Sequence, residues 1–167
     1  MDEYRFDVGV IVARRPIASQ WTDHQWLPHT VLVPAPAAAP GTPLGAVGAD
    51  ELFYAGALEL ALLPSQTAHY RDNLASGQPS LWVCLQIPPG GGYVLSRVTA
   101  DPYEGEALTG GIDGVVEAVP MPPAIATSTA AFVDAFHVEQ PFIKRERKRA
   151  DPDALGHRPP STRVPPA

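Results

Sequence analysis

The sequence predicts an α+β fold: a largely antiparallel sheet of about six strands, one short central helix, and one C-terminal helix packed on the sheet. Three observations lead there. Short runs that alternate apolar and polar residues, the period of a half-buried strand, recur from residue 5 to residue 119. Most of them are joined by brief Pro/Gly turns, which suit antiparallel neighbours. An apolar stripe of helical period falls near the C-terminal end, and no strand–helix alternation supports a parallel nucleotide-binding sheet.

Residues 5–14 (RFDVGVIVAR) place Phe6, Val8, Val10 and Val12 on one side, and Pro16 stops that strand. Residues 29–33 (HTVLV) make a second short strand ended by Pro34. The following Pro/Ala/Gly stretch, 34–48, suits solvated backbone and is expected to be a surface loop inside the domain. Residues 51–63 carry Leu52, Tyr54, Leu58, Leu60 and Leu62 on one parity, a long strand in which Gly56 marks a bulge or bend; a helix is the rival reading. Ser65 offers an N-cap for a short helix over 65–76, where Tyr70 and Leu74 share a face, and Gly77 and Pro79 end it. Residues 80–87 alternate again, with Leu81, Val83, Leu85 and Ile87 inward, and the turn PPGGG leads to a hairpin partner at 93–99. Asp101-Pro102 starts a brief polar segment that suits one helical turn, closed by Gly110-Gly111. Residues 114–119 are the last strand. Pro122-Pro123 then open a helix over 122–139, because first-turn amides lack an intrahelical partner anyway. Its stripe is Ile125, Phe132, Val133 and Phe136.

This gives a single α+β domain over 1–143 and a tail over 144–167, basic and then Pro-rich, expected to be disordered for want of an apolar period. The length of 167 residues makes one domain the default, and 45% hydrophobic residues suffice for a core. The acidic start, the short apolar run behind it and the lack of any long apolar stretch argue against signal, transit and membrane-spanning segments. The reading is therefore a soluble, cytoplasmic protein. A single cysteine, Cys84, excludes an internal disulfide and a multi-cysteine metal site.

The net charge of −6 conceals a division. Residues 1–139 hold five basic and fifteen acidic residues, a balance of −10, while 140–167 hold seven and three, a balance of +4. The run Lys144-Arg145-Glu146-Arg147-Lys148-Arg149, preceded by Phe142 and Ile143, is the clearest charge feature. It suits an acidic protein surface better than nucleic acid, since no base-reading or stacking module accompanies it; a plain solvated tail is the competing account.

The segment 21–29 (WTDHQWLPH) concentrates two of three tryptophans, two of five histidines and a carboxylate. Asp23, His24 and His29 are the best candidates for a metal or acid–base site, yet His-x4-His is a poor ligand spacing and no remote partner is identifiable. The simpler expectation is a loop stapled to the sheet by Trp21 and Trp26, either of which also suits a partner-binding anchor. Cys84 lies mid-strand without a cation to activate it, which reads as a buried, inert thiol. Gly90-Gly91-Gly92 lacks a following helix and is a turn, not a phosphate loop. His137 suits a helix C-terminus, His69 a solvent-exposed helix face, and Glu104 with Glu106 a flexible acidic segment. No constellation supports catalysis, and no cofactor is expected.

GVIVARRP near the start, Trp21, Asp23, His24, Trp26 and Pro28, HYRDNL at 69–74, VEAVPMPPAI at 116–125 and FVDAFHVEQPFIKRERKR at 132–149 together resemble one family. It is an uncharacterised family of small proteobacterial proteins whose members are usually encoded among the genes of molybdenum-dependent formate dehydrogenases. The resemblance covers about residues 6–149 and brings no catalytic residues with it. It implies an accessory, maturation or regulatory role beside formate oxidation, with a dehydrogenase subunit or maturation factor as partner. The expected function is thus a non-catalytic interaction protein, with Trp21, Asp23, His24 and Trp26 as one contact and Phe142, Lys144, Arg145, Arg147, Lys148 and Arg149 as the other. The alternatives are a regulator touching nucleic acid through the basic run and an enzyme with a site around Asp23, His24 and His29.

Overall fold

The computed structural model describes residues 4–111 and 113–138. The chain divides into two units, Met1–His137 and Val138–Ala167. Phe142 and the basic run lie outside the described residues.

Among the described residues, seven strands form two antiparallel sheets. The first holds β1 (Arg5–Pro16), β2 (His24–Leu32), β3 (Pro43–Val47) and β4 (Asp50–Ala61) in the order β2-β1-β4-β3. The second holds β5 (Ser80–Gln86), β6 (Val94–Thr99) and β7 (Gly114–Pro120) in the order β6-β5-β7. Helices α1 (Thr67–Ala75, entered by a 3₁₀ turn at Pro64–Gln66), α2 (Pro102–Thr109) and α3 (Pro123–Phe136) complete an α+β fold.

The sheets also meet at their edges: β7 runs beside β2, and β6 beside β4. Six strands therefore follow one another around a ring, β1-β2-β7-β5-β6-β4, with β3 added outside. The bend that allows this lies in β4. Val10 pairs with Gly56 and Ile11 with Tyr54, so Ala55 is the extra residue of a bulge. Such a bulge bends its strand, and Gly56, at φ +124°, takes the conformation that side chains resist. The first part of β4 pairs with β3; the part after the bulge lies beside β6.

Inside the ring the alternation is obeyed. Val8, Val10 and Val12 from β1 meet Leu81, Val83 and Leu85 from β5, all fully buried, with Leu60, Val98 and Val119 completing the core. α1 and α3 close the end where β1 starts: Ile125, Thr129, Phe132 and Val133 are buried, and Tyr4, Tyr70, Phe132 and Phe136 form an aromatic cluster, edge-to-face except for the tilted Phe132–Phe136 pair. α2 covers the outer face of β5, where Gly105 sits directly on the Trp82 indole. Among the described residues, no helix is long and apolar enough to cross a membrane.

Three expectations change. The stretch 34–48 is not loop throughout, because Pro43–Val47 pairs with the start of β4; all five residues are exposed, so no alternation marked them. β2 begins at His24 rather than His29. Pro28 does not end it, because β2 is an edge strand in its sheet and His29 forms a bulge beside the proline. The polar segment after Asp101 is a full helix, whose Asp101 side chain accepts from the amides of Tyr103 (2.9 Å) and Glu104 (3.4 Å).

Candidate functional site

The end of the ring opposite α1 and α3 is built by the β1–β2 loop and the β5–β6 turn. The loop is closed at its base, where Ile17 N–H donates to the Asp23 carbonyl at 3.0 Å. Ser19 Oγ accepts from the Trp21 amide at 3.2 Å, and Thr22 Oγ1 donates to the His24 carbonyl at 3.0 Å. These short-range bonds fix a loop that holds Trp21 away from the protein, 86% exposed. Trp21 is therefore no staple: the loop is held by its polar groups, and the indole is left to solvent.

Trp26, on β2, does the packing instead. Its ring meets Tyr93 at 4.8 Å, Phe53 at 5.6 Å and His24 at 5.7 Å. The Arg14 guanidinium, paired with Glu51, lies 5.8 Å from the Trp26 ring centre and 5.2 Å from that of Phe53. The Trp26 indole N–H is buried and has no partner among the described residues, an arrangement that costs about 1–3 kcal/mol.

Facing Trp26 is the turn Ile87–Gly92. Gly91 N–H donates to the Pro88 carbonyl at 3.0 Å, and Gly91 and Gly92 adopt φ of +87° and +77°, which only glycine adopts at little cost. Between loop and turn runs an open groove of about 510 Å³, walled by Trp21, Trp26, Pro88, Pro89 and the glycines, with Ile87 and Val115 at its base. Among the described residues, no lysine, arginine, aspartate or glutamate lines it.

Asp23 and His24 are brought together: Asp23 Oδ1 lies 2.6 Å from His24 Nδ1. That hydrogen bond and the His24 charge hold the Asp23 carboxyl below the usual carboxylate range. The Asp23 side chain is 94% exposed, so water screens the pair. His29 does not join them. It sits five residues along the strand, about 16 Å in an extended chain, with Nδ1 2.7 Å from Thr30 Oγ1. Among the described residues, no three His, Cys, Asp or Glu side chains could hold a metal ion.

The other singled-out residues are mostly structural. Cys84 is buried, and burial pushes its thiol up, against the smaller opposing pull of a Ser96 hydrogen bond. His137 ends α3 with Nδ1 2.9 Å from Thr67 Oγ1, tying α3 to α1. His69 is only part exposed: Nδ1 lies 3.0 Å from the buried Asp101 carboxylate and its ring stacks on Tyr103 at 4.4 Å. Glu104 is ordered too, paired with Arg97 and accepting from Thr99 Oγ1 at 2.8 Å. The turn 87–92, which walls the groove, and Tyr93, which packs on Trp26 behind it, were not among the expected site residues. The turn was legible as a turn, but its position opposite Trp26 is a tertiary fact with no local signal.

The fold and groove define a small α+β protein with an aromatic–proline surface site. The chain belongs to the family described as protein of unknown function DUF3305, whose model matches residues 7–147. No curated protein and no solved structure matches the chain.

Proposed function

We propose that this protein is a non-catalytic interaction protein that assists the assembly, maturation or regulation of a formate dehydrogenase. The observation that carries the binding role is Trp21, an exposed indole held by a hydrogen-bonded loop at the edge of an aromatic groove. An exposed tryptophan gains apolar burial at small conformational cost when a partner covers it, and tryptophans are enriched among residues that dominate binding. The dehydrogenase as partner rests on the sequence resemblance alone.

The test is affinity capture of the tagged full chain from its native cell, comparing wild type with Trp21→Ala. A dehydrogenase subunit or maturation factor retained by wild type and lost from the variant is the expected result. Recovery of neither, at mild salt, removes the proposal. Charge reversal at Lys144, Arg145, Arg147 and Lys148 is expected to weaken capture in a salt-dependent way. Unchanged capture leaves the groove as the sole contact.

A further inference from the structure

Resting on that reading, we propose that the groove between Trp21, Trp26 and the Pro88–Gly92 turn takes an extended, proline-rich segment of the partner, one that carries arginine or lysine beside its prolines.

The walls argue for proline. Trp21 and Trp26 offer flat ring faces on one side, and Pro88 and Pro89 offer stiff apolar rings on the other. Polyproline II segments dock in aromatic-lined grooves of this kind because they enter already extended and lose little entropy. Strand addition is disfavoured because the wall at 88–92 is a turn and presents no ladder.

The charge argues for a basic flank. Among the described residues no lysine or arginine lines the groove, and the nearest arginine stacked on its rings, Arg14, is already paired with Glu51, as Asp23 is with His24. Asp23 stands beside Trp21, almost fully exposed, and Asp113 is joined to the groove floor through its carbonyl, which accepts from Ile87 N–H at 3.2 Å. Residues 1–139 carry a balance of −10, so a basic peptide approaches down a favourable field.

Titration of the full chain with a short acetylated peptide of repeated Arg-Pro-Pro units, followed by tryptophan fluorescence and calorimetry, tests this. Saturable binding is expected, weakened at least about tenfold by Trp21→Ala, as for loss of one aromatic anchor. Asp23→Asn is expected to weaken it less and to flatten its salt dependence. Because Trp21 is exposed, its variant keeps the wild-type unfolding midpoint. No binding, equal binding of an Arg-Ala-Ala peptide, or indifference to Trp21→Ala overturns the proposal. A dimer that disappears in Trp21→Ala would make a second copy the occupant and overturn it too. If Trp21 is needed for native capture while the Arg-Pro-Pro peptide neither binds nor competes, the interaction role stands and the proline-rich reading falls.

Discussion

Gly105 shows how one missing methyl group decides a packing arrangement. It lies inside α2, where alanine is favoured over glycine by about 1 kcal/mol. A Cβ there would stand 2.3 Å from Cγ of Trp82 and 2.5 Å from Cδ1, far inside contact distance, and that end of the indole is fixed by β5. Overpacking of this kind costs about 1–3 kcal/mol, so it outweighs the helix gain. Gly105→Ala is expected to lower stability by about 1–2 kcal/mol, read from urea unfolding midpoints; a rise would mean that the ring yields freely. A second residue-scale expectation concerns pH. Arg15 makes a paired contact with Asp50, Nε to Oδ1 and Nη2 to Oδ2 both at 3.0 Å. The hydrogen bond holds the Asp50 carboxyl below its ordinary value, with the Arg15 charge adding to it. A carboxyl lowered on folding contributes stability above its unfolded value of about 3.9 and loses it as pH falls through the lower folded value. The NMR titration midpoint of Asp50 is therefore expected below the ordinary value and should rise in Arg15→Gln. An unmoved midpoint would show that the pair has no energetic content in solution.

At the scale of elements, α1 is held less by an apolar face than by one buried amide. Asn73 Nδ2 donates to the Ser80 carbonyl at 2.8 Å and the Ala100 carbonyl at 2.9 Å, and its Oδ1 accepts from Ser80 N–H at 3.0 Å. One side chain thus satisfies the entry to β5 and the exit from β6. Asn73→Ala leaves three backbone groups without partners, and each buried one costs about 1–3 kcal/mol. With the Ala100 bond buried and the two Ser80 bonds part-buried, the variant is expected to lose about 1–3 kcal/mol and to show faster amide exchange at Ser80; a loss below about 1 kcal/mol would mean that water replaces the amide. This explains what was and was not legible. β1 and β5 follow the alternation because each has one face in the core. β4 keeps the expected side only after its bulge, at Leu58, Leu60 and Leu62, whereas before it Phe53 and Ala55 join the core and Tyr54 packs against Gly9 and Pro36 on the other face. Gly56 was identifiable as a bend by its place in a strand. The 65–76 segment reads as a helix and Gly77 ends it, but Ser65 lies inside the 3₁₀ turn and does not cap α1, which starts at Thr67. Asn73 carries no mark of its task, since its partners lie seven and 27 residues away. β3 is invisible to hydrophobic pattern because it is wholly exposed. Pro43, and Gly45 at φ +107°, also interrupt that edge and blunt it against pairing with other chains.

The whole molecule puts its two kinds of closure at opposite ends of β1. At the Arg5 end, Phe132 of α3 contacts Tyr4 and Tyr70 and is buried. At the Arg14 end, Trp26 gathers Phe53, Tyr93 and the arginine itself, leaving the groove beyond it. The sequence showed the first end, through the helical stripe at Ile125, Phe132 and Val133. Of the second it showed the tryptophans but not the turn facing them, because nothing local records that β5 ends where β2 begins. Tyr4 and Arg14 are ten residues apart along an extended strand, about 33 Å, and the two clusters share no ring contact among the described residues. Perturbations that far apart are expected to add within about 0.5 kcal/mol. Phe132→Leu and Trp26→Leu should therefore each lower stability, and the double variant should lose their sum, by chemical unfolding with an unchanged denaturant slope. Coupling well above about 0.5 kcal/mol would show that the ring transmits strain along β1 and that the groove answers to the helical end. Additivity would leave the groove able to change its contacts without loosening the core, as a surface that binds partners requires.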